Sequence, residues 1–165
     1  MPLKIGFIAT SVVVLLGVAA TAPLAAAAPD TDACLLVTQA RLSAVLGVPM
    51  GAGAHTTPTY VKTCTWTPSG GATKTLKAVT LNLESADGYQ AGKNLMEQMK
   101  PKNTTFTPAS GIGDDAYYMS FGSNITNLMV KKGKASFKLA MYGDTAPEKA
   151  MAMEKILALE ILPKL

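Results

Sequence analysis

Cys34 and Cys64 are the only two cysteines of this 165-residue chain, and they are its first candidates for covalent chemistry. In an oxidising compartment, an even number of cysteines favours a disulfide bond. The sequence has no Cys-x-x-Cys motif, the spacing used for thiol–disulfide exchange. A bond between Cys34 and Cys64 closes a loop of about 30 residues, which stabilises a small domain by about 3–4 kcal/mol in the chain-entropy model. We therefore expect a structural disulfide.

His55 is the only histidine, and it lies in a segment rich in glycine, alanine and threonine with no acidic residue beside it. A zinc site needs about three protein ligands or more. One histidine and two disulfide-bonded cysteines do not readily supply them. We expect an exposed His55, no metal site and no cofactor.

Asp114 and Asp115 are the only adjacent carboxylates. Neighbouring side chains of an extended segment point to opposite faces, which is poor geometry for shared acid–base chemistry. Gly111 and Gly113 suit a tight turn at this point. We interpret the pair as a turn or a weak cation site. The alternative is a small extracytoplasmic enzyme with a carboxylate and hydroxyl site near Asp114, Asp115 and Tyr117.

Methionine is frequent, and its flexible thioether suits both irregular cores and adaptable binding surfaces. The first interpretation is filling of the core. The second is an apolar binding surface formed by Met96, Met99, Met141 and Met153. The spacing Met151-x-Met153 also leaves open a copper site made of thioethers.

The first 28 residues have the pattern of a secretory signal. Lys4 precedes an apolar stretch over 5–18, and three alanines at 26–28 stand before Pro29. The apolar stretch is short for a membrane span, which needs about 20 residues, although an uncleaved anchor is the alternative. We expect a signal peptide at 1–28, one secreted or periplasmic domain at 29–165, and no membrane span in the mature chain.

The net charge of the whole chain is +4, and loss of Lys4 leaves +3. The only dense basic cluster consists of Lys131, Lys132 and Lys134. These lysines flank Gly133, which is typical of a hairpin turn. Nucleic-acid-binding surfaces are usually more basic than this. We therefore expect no nucleic-acid partner.

Periodicity predicts an α+β domain in which an antiparallel sheet of about five to six strands packs on two or three helices in two layers. Asp87 is expected to cap the second helix. Thr145 and Glu148 have the spacing of a capping box at the start of the last helix. The predicted helices are 38–46, 87–100 and one beginning near Thr145; the predicted strands are 60–67, 76–84, 115–121, 125–132 and 134–142, with a short edge strand within 102–108.

Five short motifs carry a family resemblance: Cys34–Leu36, Gly47, Cys64–Trp66, Gly111–Tyr117 and Leu128–Gly133. With these motifs the chain resembles a family of exported bacterial proteins and lipoproteins, common in actinobacteria, with a PsbP-like α/β domain. The chain lacks the acylation site of the lipoprotein members. The resemblance implies a fold and an extracytoplasmic setting, and it carries over no catalytic residues.

These observations favour an exported, non-enzymatic binding or envelope-accessory domain, whose partner is an unidentified protein or a small apolar ligand. The chain also contains glycosylation sequons at Asn103 and Asn124. The bacterial resemblance implies that these two sequons are chance matches.

Overall fold

The computed structural model describes residues 31–99 and 101–165, so the predicted signal at 1–28 lies outside the described residues. The described chain forms a seven-stranded sheet with four α-helices and a final 3-10 turn. The α+β class predicted from the sequence is confirmed. The helices are α1 (Ala33–Leu36), α2 (Gln39–Leu46), α3 (Ala86–Met99) and α4 (Pro147–Ile161), and the strands are β1 (Ala54–His55), β2 (Thr63–Trp66), β3 (Ala78–Ser85), β4 (Thr104–Pro108), β5 (Asp115–Phe121), β6 (Ile125–Lys132) and β7 (Ala135–Tyr142).

All strand pairs are antiparallel, and the order across the sheet is β1-β2-β3-β7-β6-β5-β4. Helix α3 connects β3, in the middle of the sheet, to β4 at its far edge. Strands β4 to β7 then return as a meander, and β7 pairs with β3. The sheet has more strands than predicted because β1, with only two residues, is too short to give a period-two pattern.

The main core lies on one face of the sheet. Alternate residues of the strands point to this face, among them Leu81, Leu128 and Leu139. Helices α1, α2 and α4 contribute the residues that pack against them, including the fully buried Leu42 and Leu157. One side of α4 is therefore buried against the sheet.

Helix α3 lies on the opposite face. Its Tyr89 is fully buried in a second cluster with Tyr117, Met119 and Met129. These strand residues alternate with Tyr118 and the other residues of the main core. The expectation of two layers with all helices on one face was therefore wrong. The reason is that β5 and β6 are apolar on both faces, so a helix can be buried on either side.

Two predicted helix caps were also wrong. The backbone N–H of Gly88 donates to Ser85 Oγ (3.1 Å), so Ser85 rather than Asp87 caps α3. The N-cap of α4 is Ala146 rather than Thr145. The Thr145 hydroxyl donates to the Thr75 carbonyl (2.5 Å) and does not cap the helix. The N-cap of α2 is Thr38, whose hydroxyl accepts from a backbone N–H of the first turn (3.2 Å).

Cys34 and Cys64 form the predicted disulfide, with 5.0 Å between their Cα atoms. The bond joins α1 to β2 and lies in the main core beside the buried Trp66. Across 31–99 and 101–165, no helix combines the length and the apolar character needed to cross a lipid bilayer.

Candidate functional site

An open groove lies between α3 and the edge of the sheet formed by β4 and β5. One part of it has a volume of about 240 Å³, and an adjoining part of about 430 Å³ shares two lining residues with it, Glu97 and Phe106. Pockets for small organic ligands usually measure about 300–1,000 Å³. The groove is therefore large enough for such a ligand. Its lining residues include Lys93, Glu97, Phe106, Pro108, Asp115 and Tyr117.

Aromatic rings form the wall of the groove. The centroids of Phe106 and Tyr117 are 6.1 Å apart, and those of Tyr117 and Tyr89 are 5.6 Å apart. Phe106 of β4 and Tyr117 of β5 point to the same face because their strands pair in antiparallel register. Phe106 is only half-buried, since β4 is the outermost strand. The groove therefore offers an aromatic surface to a ligand.

Lys93 and Asp115 close the groove at one end. The Lys93 ammonium donates to Asp115 Oδ2 at 2.8 Å. The same Nζ atom lies 5.6 Å from the Tyr117 ring centroid and 6.0 Å from that of Tyr89. The positive charge of Lys93 thus interacts with one carboxylate and with two aromatic rings.

Glu97 supplies the remaining charge. It lies one helical turn beyond Lys93 and lines both parts of the groove. None of the residues in the described ranges forms an ion pair with its carboxylate. Among the described residues that line the groove, one side chain is positive and two are negative, with the unpaired negative charge at Glu97 beside Phe106.

Asp115, Tyr117 and Tyr89 each keep one charge state at neutral pH. The hydrogen bond from Lys93 holds the pKa of Asp115 below its usual value. Burial raises the pKa of Tyr117 to about 12. Burial, followed by the nearby Asp115 charge, raises the pKa of Tyr89 even further. An ionised carboxylate and two protonated phenols are poor general acids and bases near pH 7.

Asp114 does not share this site with Asp115. Its Oδ2 atom accepts a hydrogen bond from the Gly133 backbone N–H (2.6 Å), in the turn between β6 and β7. Gly113, just before it, has a left-handed φ of 61°. The structure therefore separates the adjacent carboxylates, with Asp114 in a contact between turns and Asp115 at the groove.

The four methionines of the expected apolar surface lie on two sides of the sheet. Met96 packs on the aromatic cluster behind the groove, and Met99, at the end of α3, is 63% exposed. Met141 and Met153 are buried in the main core and line a separate cavity of about 210 Å³. The structure brings these residues together in pairs rather than as one surface.

Glu154, which the sequence analysis did not single out, is fully buried in α4. Neither carboxylate oxygen has a hydrogen-bond partner among the described residues. Burial raises its pKa to about 9, and the Met141 backbone opposes the shift only in part. One signal was available in the sequence, because Glu154 stands four residues from both Ala150 and Ala158 on the buried stripe of the helix.

His55 has an acidic neighbour that sequence spacing could not reveal. Its Nε2 atom lies 2.8 Å from Asp32 Oδ1, and Asp32 also accepts from the Cys34 backbone N–H (2.8 Å). The hydrogen bond with His55, and then the one with Cys34, lowers the pKa of Asp32. His55 is half-buried rather than exposed. It pairs with Cys64 across β1 and β2, so this cluster surrounds the disulfide.

Glycosylation acceptors at the two sequons lie in turns. Asn103 precedes β4 and has a left-handed φ of 60°, and Asn124 lies between β5 and β6.

Comparison of the chain with protein families, with curated proteins and with solved structures gives no match.

Proposed function

We propose that the protein is an exported, non-enzymatic binding domain, and that the groove between α3 and β4 holds a small organic cation with an apolar body. The observation that carries this proposal is the Glu97 carboxylate, unpaired within the described chain, beside the half-buried ring of Phe106. The ligand would lay its apolar part on the aromatic wall and its cationic part against Glu97.

The charge of the groove favours a cation over an anion. Lys93 is the only lysine that lines it among the described residues, and Asp115 already neutralises that lysine. A cation near Phe106 and Glu97 gains from both the ring face and the carboxylate, whereas an anion meets only repulsion there. A neutral apolar ligand would pack on the aromatic wall but would gain nothing from the Glu97 carboxylate.

The pKa values favour binding over catalysis. Asp115 is held ionised, and Tyr117 and Tyr89 are held protonated, so none of the three exchanges a proton readily at neutral pH. Asp114, the other acidic residue of the alternative enzyme site, makes its contact at a different turn. These facts support a binding role for the region around Asp115 and Tyr117.

An extracytoplasmic location is part of the proposal. The Cys34–Cys64 disulfide suits an oxidising compartment. The predicted signal at 1–28 and the resemblance to exported actinobacterial proteins support the same location. An envelope-accessory role stays within this proposal, since a cationic ligand can belong to an envelope component.

Isothermal titration with benzyltrimethylammonium tests the proposal, with benzyl alcohol as the uncharged comparison. We expect binding of the cation and at least tenfold weaker binding of the alcohol, because about 1.4 kcal/mol corresponds to a factor of ten. Glu97→Gln should weaken cation binding by about the same factor. Glu148→Gln, the same change on the exposed start of α4, is the matched control. Equal binding of both probes, or equal loss in both variants, would contradict the proposal.

A further inference from the structure

We propose that the reduced protein has a tetrahedral metal site for Zn²⁺, formed by Asp32, Cys34, His55 and Cys64, in which the metal replaces the disulfide. This site lies at α1, β1 and β2, away from the groove. The proposal is therefore independent of the function proposed above.

The donor atoms are already close together. One ligand atom from each of Asp32, Cys34 and His55 lies within 4.8 Å of the other two. Cys64 is outside this set of three, but its sulfur is bonded to that of Cys34 and so adjoins it. Around Zn²⁺, bond lengths of about 2.0–2.3 Å place tetrahedral ligand atoms about 3.3–3.8 Å apart. Three donors are therefore already grouped, and the Cys64 side chain must move to supply the fourth once the disulfide is reduced.

The fold holds each donor in position independently of the disulfide. Asp32 caps α1 through the Cys34 backbone N–H. His55 and Cys64 are direct partners in the β1–β2 ladder, so their side chains lie on the same face of the sheet. The side chains of His55 and Asp32 are 23% and 26% exposed, which leaves the metal a path from solvent. The buried Cys64 and the half-buried Cys34, His55 and Asp32 make a site that is open on one side.

The chemistry explains why the site depends on the redox state. In the disulfide neither sulfur is a thiolate, so only Asp32 and His55 remain as metal ligands. A dithiol reductant gives two electrons and two protons to the Cys34–Cys64 bond, which becomes two thiols, while the reductant closes to its own disulfide. Zn²⁺ then binds both sulfurs as thiolates, and the two protons pass to solvent. A disulfide oxidant takes two electrons from the thiolates and leaves as its own two thiolates, so that the Cys34–Cys64 bond re-forms and the metal is released.

Cobalt binding tests the proposal, since Co²⁺ adopts the same geometry and reports its ligands by colour. The full chain is reduced with dithiothreitol, freed of it without air, and titrated with Co²⁺. We expect one ion per chain, with thiolate charge-transfer bands in the near ultraviolet and the intense visible bands of a tetrahedral site. The oxidised protein should show neither, and Zn²⁺ should displace the cobalt. Absence of the thiolate bands from the reduced protein would overturn the proposal.

Substitution of His55 distinguishes a folded site from two loose thiols. His55→Ala should weaken Co²⁺ binding at least tenfold, whereas Thr56→Ala, at the exposed next residue, should leave it unchanged. Equal binding by His55→Ala would mean that the cysteines bind the ion alone, and the proposal would be wrong. As a second measurement, Zn²⁺ should raise the thermal midpoint of the reduced protein but not of the oxidised one.

Discussion

The Lys93 ammonium lies 2.8 Å from the Asp115 carboxylate and joins the middle of α3 to the first residue of β5. The contact places a cation over the rings of Tyr89 and Tyr117 and neutralises it at the same time. Among the described lining residues, the charge of Glu97 therefore remains as the net charge of the groove. A pair that positions α3 also sets which ligands the groove favours.

The Lys93–Asp115 pair should contribute little to stability, because both side chains are partly exposed. A double-mutant cycle with Lys93→Met and Asp115→Asn should give a coupling of about 0.5–1 kcal/mol at pH 7 in urea unfolding. The pKa of Asp115 is lowered in the folded state, so this contribution is present above the ordinary value of 3.8 and is lost as the pH falls through the folded value. A coupling that persists at pH 2 would contradict this assignment.

Glu154→Gln should stabilise the protein at neutral pH. The pKa of Glu154 in the folded state, about 9, exceeds its ordinary value of 4.5, so between these two values the folded state binds a proton that the unfolded state has lost. Stability therefore falls as the pH rises through this window, by up to about 1.4 kcal/mol per pH unit. Glutamine has the same shape and does not ionise. The free energy of unfolding of Glu154→Gln, measured with urea, should exceed that of wild type only slightly at pH 4 and by about 3 kcal/mol at pH 7.

The comparison with wild type removes other pH effects. Asp32, Asp115 and Glu160 have lowered pKa values and change stability in the opposite direction, at lower pH, in both proteins. Glu160→Gln, at a half-buried residue of the same helix that pairs with Arg41, is the control and should show no gain as the pH rises. A constant difference between Glu154→Gln and wild type from pH 4 to 8 would show that Glu154 is not protonated in the fold.

Gly113→Ala should destabilise the protein more than Gly111→Ala does. Both glycines have left-handed φ angles, 61° and 73°. That conformation costs a residue with a Cβ atom about 1–2 kcal/mol. A Cβ atom on Gly113 would also collide with the Lys131 carbonyl, whereas one on Gly111 meets no atom within 4 Å. We expect a loss of about 1 kcal/mol for Gly111→Ala and at least about 2 kcal/mol more for Gly113→Ala, by thermal or urea unfolding. Equal losses would mean that the Lys131 carbonyl of β6 does not lie against Gly113.

Removal of the disulfide should lower the free energy of unfolding by about 3–4 kcal/mol, as the chain-entropy model gives for a separation of 30 residues. The double variant Cys34→Ala with Cys64→Ala measures this in metal-free buffer, with Trp66 as the only tryptophan and a buried fluorescence probe. Wild type reduced in the same buffer should lose a similar amount. A loss below 1 kcal/mol in both would mean that the bond does not constrain α1 against β2.

The sequence predicted the meander of strands well. The bounds of β5 and β6 agree with the predicted strands, because runs rich in apolar and aromatic residues end at turns marked by Gly122 and Gly133. The side of the sheet taken by α3 could not be predicted. Tyr117 and Tyr118 are both buried, one on each face, so alternation gave no preferred side.

The candidate sites were predicted only in part. Asp115 and Tyr117 were singled out, but Lys93 and Glu97 were not, because they are ordinary charged residues until α3 places them beside β4. His55 was judged to have no acidic neighbour, since Asp32 is 23 residues away along the chain. Contacts of this kind arise from the fold and leave no pattern in spacing.

Binding of a small organic cation between α3 and β4 can be followed residue by residue in an NMR titration. Benzyltrimethylammonium is added to the ¹⁵N-labelled protein, and amide shifts are followed at Phe106 and Tyr117 in the groove and at Met141 and Met153 in the cavity on the other face. Binding in the groove should give saturable shifts at Phe106 and Tyr117 that Glu97→Gln strongly reduces, with Met141 and Met153 unmoved. Shifts confined to the Met141 and Met153 cavity, or none at Phe106, would contradict it.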